Sequence, residues 1–207
     1  MVLKGTTTMG LVCREGIVLA TDTRVTMGFT VAHKYGKKIY PLDRHLAMTI
    51  AGGVADAQNV VEILKANAKL YLLSNNRVMP VAAAARLAAN ILFSSRWQGP
   101  LLLQALIGGV DDSGAHIYAI DLFGSVTEET CVSTGSGSPV AYGVLEDGYS
   151  SQLTVDEGIS LAIRAVTSAM KRDAGSGDSY DVAVVTTDGY RELEATEKDA
   201  IAVTHVK

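Results

Sequence analysis

The period of the hydrophobic pattern switches in blocks along this chain, and the order of those blocks limits the folds open to it. Thr7–Cys13 and Ile17–Asp22 are β-rich runs joined by Arg14-Glu15-Gly16, a short connection that suits a hairpin. Lys38–Tyr40 and Leu46–Ala51 read as a second pair of strands. Ala57, Val60, Val61, Leu64, Ala68 and Tyr71 then recur at helical spacing, with Glu62, Lys65 and Lys69 off the stripe. Asn75-Asn76 closes this helix. Pro80 fits the first turn of an Ala-rich second helix that runs towards Ser95. Strand patterns return at Leu101–Ile107, His116–Ile120 and Val126–Val132, with Gly114 and Gly124 in the turns between them. A third long helix begins at Thr154, which forms a Thr-x-x-Glu capping box with Glu157. Val182–Thr186 and Tyr190–Leu193 flank Asp188-Gly189, a hairpin turn signal. Strands thus arrive as hairpins and helices in groups. Strict βαβ alternation is absent, which argues against a doubly wound parallel sheet and for antiparallel sheets covered by helices. Leu101-Leu102-Leu103 and Val182-Ala183-Val184-Val185 are apolar throughout, as strands buried on both faces would be.

At 207 residues the chain fits one domain, since domains run to roughly 100–200 residues. Hydrophobic residues make up 48% and charged residues 19%, which excludes intrinsic disorder. A net charge of −4 gives no reason to expect nucleic acid or an anionic membrane as partner. Cys13 and Cys131 are the only cysteines, so this is no disulfide scaffold, and reduced thiols are expected. No apolar run reaches spanning length and no signal-peptide core is visible, so a soluble, cytoplasmic protein is expected. No linker divides the chain. The Gly-Gly-Val repeated at 52–54 and 108–110 has unmatched flanks and does not mark an internal repeat.

Several chemistries are disfavoured by spacing. His33, His45, His116 and His205 are scattered, with no i, i+4 pair and no cysteine at zinc-ligand spacing, so no metal or other cofactor is expected. A Ser-His-Asp or Cys-His site lacks an obvious histidine. Thr134-Gly135-Ser136-Gly137-Ser138 is glycine-rich, but it lacks the Gly-Lys-Ser/Thr ending of a phosphate loop. The acidic pairs Asp111-Asp112, Glu128-Glu129 and Asp156-Glu157 read as solvated charges in turns and helix starts.

One arrangement does carry chemistry without a histidine. Cleavage between Gly5 and Thr6 would leave Thr6 with both a hydroxyl and a free α-amine. A hydroxyl is a weak nucleophile until a neighbouring base takes its proton. An α-amine, with a pKa of about 7.7–8.0, is suited to do so near neutral pH. Asp22, at the end of the second strand, and Lys38, in the next strand pair, are charged groups that could support such a threonine. Their bland alternatives are an Asp22–Arg24 ion pair at a strand end and a solvated Lys37-Lys38 pair.

Those segments, in this order, resemble a proteasome β subunit, closest to the archaeal type. The matching motifs are Gly5-Thr6-Thr7-Thr8-Met9-Gly10, Ala20–Met27, His33–Ile39, Met48–Gly52, Asp56-Ala57-Gln58, Ser133–Ser138, Tyr142–Glu146 and Met170–Asp173. They span the chain from Gly5 to about Tyr190. The resemblance implies an α+β fold, the four-layer αββα sandwich of N-terminal nucleophile hydrolases, in which two antiparallel sheets lie between helix layers. It implies a propeptide, residues 1–5, removed autocatalytically after Gly5, and a single catalytic domain over 6–207. It also implies an ATP-independent threonine endopeptidase in which Thr6 is the nucleophile. Lys38 then holds Thr6, Asp22 orients Lys38, and the Gly52 backbone N–H faces the oxyanion. Ser136, Asp173 and Ser176 support the threonine amine. At Gly175 the sequence departs from the small side chain that relatives often carry.

Positions Val25, Thr26, Gly36, Ile50 and Val54 match the family's primary substrate pocket. None is charged, which favours large apolar side chains before the scissile bond. The implied partners are proteasome α subunits, other β subunits in heptameric rings stacked as a four-ring barrel, an unfoldase ATPase at the α rings, and unfolded polypeptide as substrate. Two alternatives are a catalytically silent structural β subunit of the same ring and a small-molecule amidase of the same hydrolase superfamily. The Tyr-Gly-Val-Leu-Glu and Thr-Gly-Ser-Gly-Ser segments oppose the amidase.

Overall fold

The computed structural model describes residues 5–97 and 99–204. The expected propeptide residues Met1–Lys4 lie outside the described residues. Two five-stranded antiparallel sheets form the centre. The first contains β1 (Thr8–Cys13), β2 (Gly16–Asp22), β10 (Cys131–Thr134), β11 (Tyr180–Thr186) and β12 (Gly189–Glu192), in the order β10-β1-β2-β11-β12. The second runs β5-β6-β7-β8-β9 in sequence order, from β5 (Ile39–Asp43) and β6 (Leu46–Gly52) through β7 (Leu103–Asp111), β8 (Gly114–Ile120) and β9 (Val126–Glu129). A separate hairpin pairs β3 (Val25–Met27) with β4 (Thr30–His33).

Side chains alternate across each sheet, and that period of two builds three cores. On β2 and β11, Ile17, Leu19, Ala183 and Val185 point between the sheets, where they meet Ala47, Leu106 and Ile117. Val18, Ala20, Val182 and Val184 point the other way, onto α3 (Ser138–Gly148) and α4 (Val155–Met170), against Leu145, Ile159 and Val166. The outer face of the second sheet, with Leu46, Met48, Ile50 and Ile107, packs on α1 (Val54–Asn75) and α2 (Val81–Ser95) through Val60, Leu64, Ala85 and Leu92. The layers are therefore helix, sheet, sheet, helix, as the α+β sandwich requires. A short α5 (Ala195–Thr204) packs Ile201 against the α4 side.

Local chemistry explains the boundaries. Thr154 accepts from the Glu157 N–H while the Glu157 carboxylate accepts from the Thr154 N–H, so the capping box forms. Asn76 ends α1 in the left-handed conformation at φ 52°, and its N–H reaches the Leu72 carbonyl.

Four sequence expectations need correction. Pro80 stands one residue before α2, and the first helical N–H, on Val81, donates instead to the Asp111 carboxylate at 2.8 Å. Asp111, a half-buried residue whose side chain is 5% exposed, thus caps a distant helix and is not a solvated turn charge. Val126–Val132 is not one strand: β9 and β10 belong to different sheets, and the chain crosses between them at Thr130. Leu102 precedes β7 and is exposed, so the Leu101–Leu103 run is not a doubly buried strand. The β3–β4 hairpin, too short to show a period, and α5, which has no apolar stripe, were not legible as elements.

Candidate active site

The site forms where the ends of both sheets converge. Thr6 immediately precedes β1. The β1–β2 register pairs Thr8 with Thr21, which places Thr7 beside Asp22, and the Thr7 N–H donates to Asp22 Oδ1 at 2.9 Å. Lys38 immediately precedes β5, and its carbonyl accepts from the Ile50 N–H of β6 at 3.0 Å. Two strand ends from different sheets thereby bring Lys38 Nζ to 2.5 Å from Thr6 Oγ1 and 2.7 Å from Asp22 Oδ1. All three groups are buried: Thr6 is 6% exposed, Lys38 4% and Asp22 0%.

Asp22 is held by backbone as well as by Lys38. Its Oδ2 accepts from the N–H groups of Arg24 and Gly177, both at 3.0 Å. Four donors on one carboxylate make the buried Lys38–Asp22 pair hydrogen-bonded throughout, the condition under which such a pair is tolerated. Burial pushes the Lys38 ammonium below the ordinary lysine range, and the Asp22 charge opposes that fall.

A second cluster holds the Thr6 nitrogen. The Thr6 N–H donates to Ser136 Oγ at 3.0 Å, and Ser136 donates to Asp173 Oδ2 at 2.6 Å. Ser176 donates to the same Asp173 oxygen at 2.6 Å and lies 2.7 Å from Thr7 Oγ1. Each serine hydroxyl has one proton and gives it to Asp173. Both serine oxygens are therefore left as acceptors, one for the Thr6 nitrogen and one for the Thr7 hydroxyl. The turn that carries Ser136 lies flat on the chain start because Gly137 has no side chain: a Cβ there would meet Thr7 Oγ1 at 2.0 Å.

Gly52 ends β6 at φ +135°, and a Cβ would meet the Leu102 carbonyl oxygen at 2.0 Å. Only glycine takes that conformation without strain. Gly52 lines a cavity of about 30 Å³ together with Lys38, Val25, Thr26, Ile50 and Val54, and Gly5 closes it from the other side. Gly36 is not on its wall. It packs behind the Val25 side chain, and its N–H donates to the Thr23 carbonyl. With the Gly5–Thr6 bond intact, the cavity has room for about one water molecule. Among the described residues no group of three or more His, Cys, Asp and Glu side chains is placed to hold a metal ion.

Arg24 was not singled out from sequence as a site residue. Its guanidinium does not pair with Asp22. It reaches Asp178 at 2.8 Å and the Ala174 carbonyl at 3.1 Å, so it grips the loop that carries Asp173, Ser176 and Gly177. Those partners lie some 150 residues away, and no local signal marks them. Thr7 and Gly177, which complete the Ser176 and Asp22 contacts, carry no local signal for those roles either. Lys37 turns away from Thr6, and its ammonium pairs with Glu192 at 2.7 Å on the surface.

A threonine hydroxyl held by a buried lysine–aspartate pair, at the open ends of two stacked sheets, has the arrangement of a hydrolytic centre. Comparison with known proteins gives the family. The model of the proteasome subunit family matches residues 2–185. The chain is 54% identical over 196 residues to a protein named proteasome subunit beta from Methanothermobacter thermautotrophicus, covering 94% of this chain and 93% of that one. It is 52% identical over 201 residues to one from Archaeoglobus profundus, covering 97% and 93% of the two chains. A third, from Methanosarcina barkeri, is 49% identical over 200 residues, covering 96% and 94%. The chain belongs to the proteasome subunit family.

Proposed function

We propose that this chain is a catalytic β subunit of a proteasome core particle, a threonine endopeptidase whose nucleophile is Thr6 and which frees its own N-terminus by cleavage after Gly5. The observation that carries the reading is the 2.5 Å contact between Lys38 Nζ and Thr6 Oγ1, with Asp22 behind the lysine. A silent structural subunit has no need of a buried ammonium on a threonine hydroxyl.

Maturation begins with the intact Gly5–Thr6 bond. Thr6 Oγ1 adds to the Gly5 carbonyl carbon, the C–N bond breaks as the hydroxyl proton passes to the departing Thr6 nitrogen, and an ester replaces the amide. Water then hydrolyses the ester, releasing residues 1–5 and leaving Thr6 with a free amine and hydroxyl. In peptide hydrolysis the amine takes the Thr6 hydroxyl proton as Oγ1 attacks the substrate carbonyl. Ser136, whose own proton is committed to Asp173, accepts one amine N–H and so leaves the amine lone pair free to face Oγ1. The Lys38 ammonium stabilises the developing alkoxide and, as a nearby like charge, keeps the amine from holding its proton too tightly. The Gly52 N–H is assigned to the tetrahedral oxyanion; in other enzymes such a donor is worth about 2.7–4 kcal/mol. As the substrate C–N bond breaks, the amine returns the proton to the leaving nitrogen. Water, with the amine again as base, then cleaves the acyl ester.

The walls Val25, Ile50 and Val54 are apolar, and the charged residues that border the cavity, Arg24, Lys37 and Lys38, are all basic, which favours Leu, Tyr or Phe over Lys or Arg before the scissile bond. α subunits, β rings stacked in a four-ring barrel, an unfoldase ATPase and unfolded polypeptide are the partners this reading supplies, and the cytoplasm is the compartment. Neither a cofactor nor a metal has a step in it. The test is hydrolysis of fluorogenic peptides by the subunit assembled with an α partner. Wild type should cleave a Leu-Leu-Tyr-type peptide faster than an Arg-type one, and Thr6→Ala should cleave neither. Hydrolysis that survives Thr6→Ala would overturn the assignment.

A further inference from the structure

Asp22 Oδ2 accepts from two backbone N–H groups, on Arg24 and Gly177, that come from distant parts of the chain. The Arg24 side chain joins those two places. Its guanidinium lies against Gly177, where a Cβ would meet Arg24 Cζ at 2.5 Å. Beyond Gly177, Nε donates to Asp178 Oδ2 at 2.8 Å and Nη1 donates to the Ala174 carbonyl at 3.1 Å. Among the described residues Asp178 is the one carboxylate within ion-pair distance of Arg24, and the two side chains are only 15% and 24% exposed.

The backbone at Asp178 is unusual. Among the described residues, Asn76 and Asp178 are the two non-glycines with positive φ, and Asp178 stands at 65°. Asn76 ends a helix, where that conformation is ordinary. Asp178 belongs to no helix or strand and holds a conformation that costs energy for a residue with a side chain. The bend it makes is tied to the end of β2. The Ser179 N–H donates to the Gly177 carbonyl at 2.9 Å and to Thr23 Oγ1 at 3.2 Å, and the Thr23 N–H donates to the Ser179 carbonyl at 2.9 Å.

We propose that Asp178 is a positioning residue for hydrolysis: by holding the Arg24 guanidinium over Gly177 it keeps both backbone donors on Asp22 Oδ2, and so fixes the carboxylate that orients Lys38. The inference rests on the endopeptidase reading above and extends its machinery to a residue that touches neither Thr6 nor the walls of the primary cavity. Arg24 offers a planar fork of N–H donors, and a carboxylate at its far end sets the plane in which that fork lies. Without the Asp178 carboxylate the fork is free to leave Gly177, whose N–H then drifts from Asp22. The Asp22 carboxylate can turn once Oδ2 is loosened. Lys38 Nζ, which donates to Oδ1 at 2.7 Å, turns with it and away from Thr6 Oγ1. The left-handed bend at 178 is the conformation that puts the carboxylate within reach of Arg24 while Gly177 faces Asp22.

The experiment measures kcat, KM and the pH profile of kcat/KM for a Leu-Leu-Tyr-type fluorogenic peptide, with variants in the fully assembled particle. Asp178→Asn removes the charge and keeps a residue that accepts positive φ. A positioning group displaced by 1 Å costs on the order of 10²-fold, so kcat should fall by about tenfold to about 10²-fold. KM should stay within about twofold, since no substrate contact is removed. The alkaline limb of kcat/KM should move to lower pH, because a displaced Asp22 opposes the effect of burial on Lys38 less well. Asp178→Gly, which relaxes the backbone and also lacks the carboxylate, should behave the same way and answers the question if the first variant fails to assemble. Arg24→Lys combined with Asp178→Asn should lose little more kcat than the worse of the two single variants, since both break one clasp. Wild-type kcat with an unmoved alkaline limb in both Asp178 variants, or a loss confined to KM, would overturn the proposal. Peptide cleavage that survives Thr6→Ala is a different result and would overturn the endopeptidase reading beneath it.

Discussion

At the scale of single residues, two adjacent lysines have opposite expected roles. Lys38 is buried on Thr6, while Lys37 pairs with Glu192 at the surface. Lys38→Ala should lower peptide hydrolysis by at least about 10³-fold, since groups that act as one unit fail together. It should also block removal of residues 1–5. Lys37→Ala should change activity little, because an exposed pair is worth about 0–1 kcal/mol. Equal losses in the two variants would place the wrong lysine at the site. Asp22 makes a separate prediction in pH. Burial lowers the proton affinity of Lys38 and Asp22 restores part of it. With Asp22→Asn the lowering is opposed only by the weaker effect of the Asp173 charge, so Lys38 loses its proton at lower pH. The alkaline limb of residual kcat/KM should move to lower pH than in wild type, and Asp22→Glu should move it back. An unmoved limb would show that the charge on Lys38 is not used.

At the scale of elements, the site depends on turns that bring strand ends together. Gly137→Ala would drive a methyl group into Thr7 Oγ1 and lift the β10–α3 turn, with Ser136, away from the Thr6 nitrogen. A 1 Å misplacement of a positioning group costs on the order of 10²-fold, so kcat should fall by about that factor with KM nearly unchanged. Thr154→Ala, at the far α4 cap, should cost about 1 kcal/mol of stability, measured by thermal melting, and leave kcat alone. The helix stripes, the β1–β2 hairpin and the α4 cap were legible because their signals are local: a period, a turn residue, a box of four positions. Thr6, Asp22 and Lys38 were legible through residue type and through resemblance. Arg24 and Asp111 were not. Their side chains partner groups reached only after the sheets close, and a residue's own neighbours carry no trace of such a contact. The β9–β10 crossing was hidden for a related reason, since a continuous β-prone run does not say where it leaves one sheet for another.

At the scale of the molecule, the isolated subunit exposes several large apolar side chains. Met27, Phe29, Leu73 and Trp97 are each more than two-thirds exposed. Scattered apolar side chains are normal on a monomer, but a chain of this family is expected to cover some of them by assembly. Hydrolysis should therefore follow the assembled fraction. When subunits co-expressed with an α partner are separated by native mass, peptide cleavage should travel with the large particle, and an active monomer that degrades folded proteins would contradict the proposed dependence on the assembled barrel. The most direct test of the central claim, that Thr6 becomes the N-terminal nucleophile, is the intact mass of the β chain in that assembled, peptide-cleaving particle. The account predicts a chain that begins at Thr6, with Met1–Gly5 gone, in wild type and a full-length chain in Thr6→Ala. An active particle whose β chains all still carry Met1–Gly5 would contradict it.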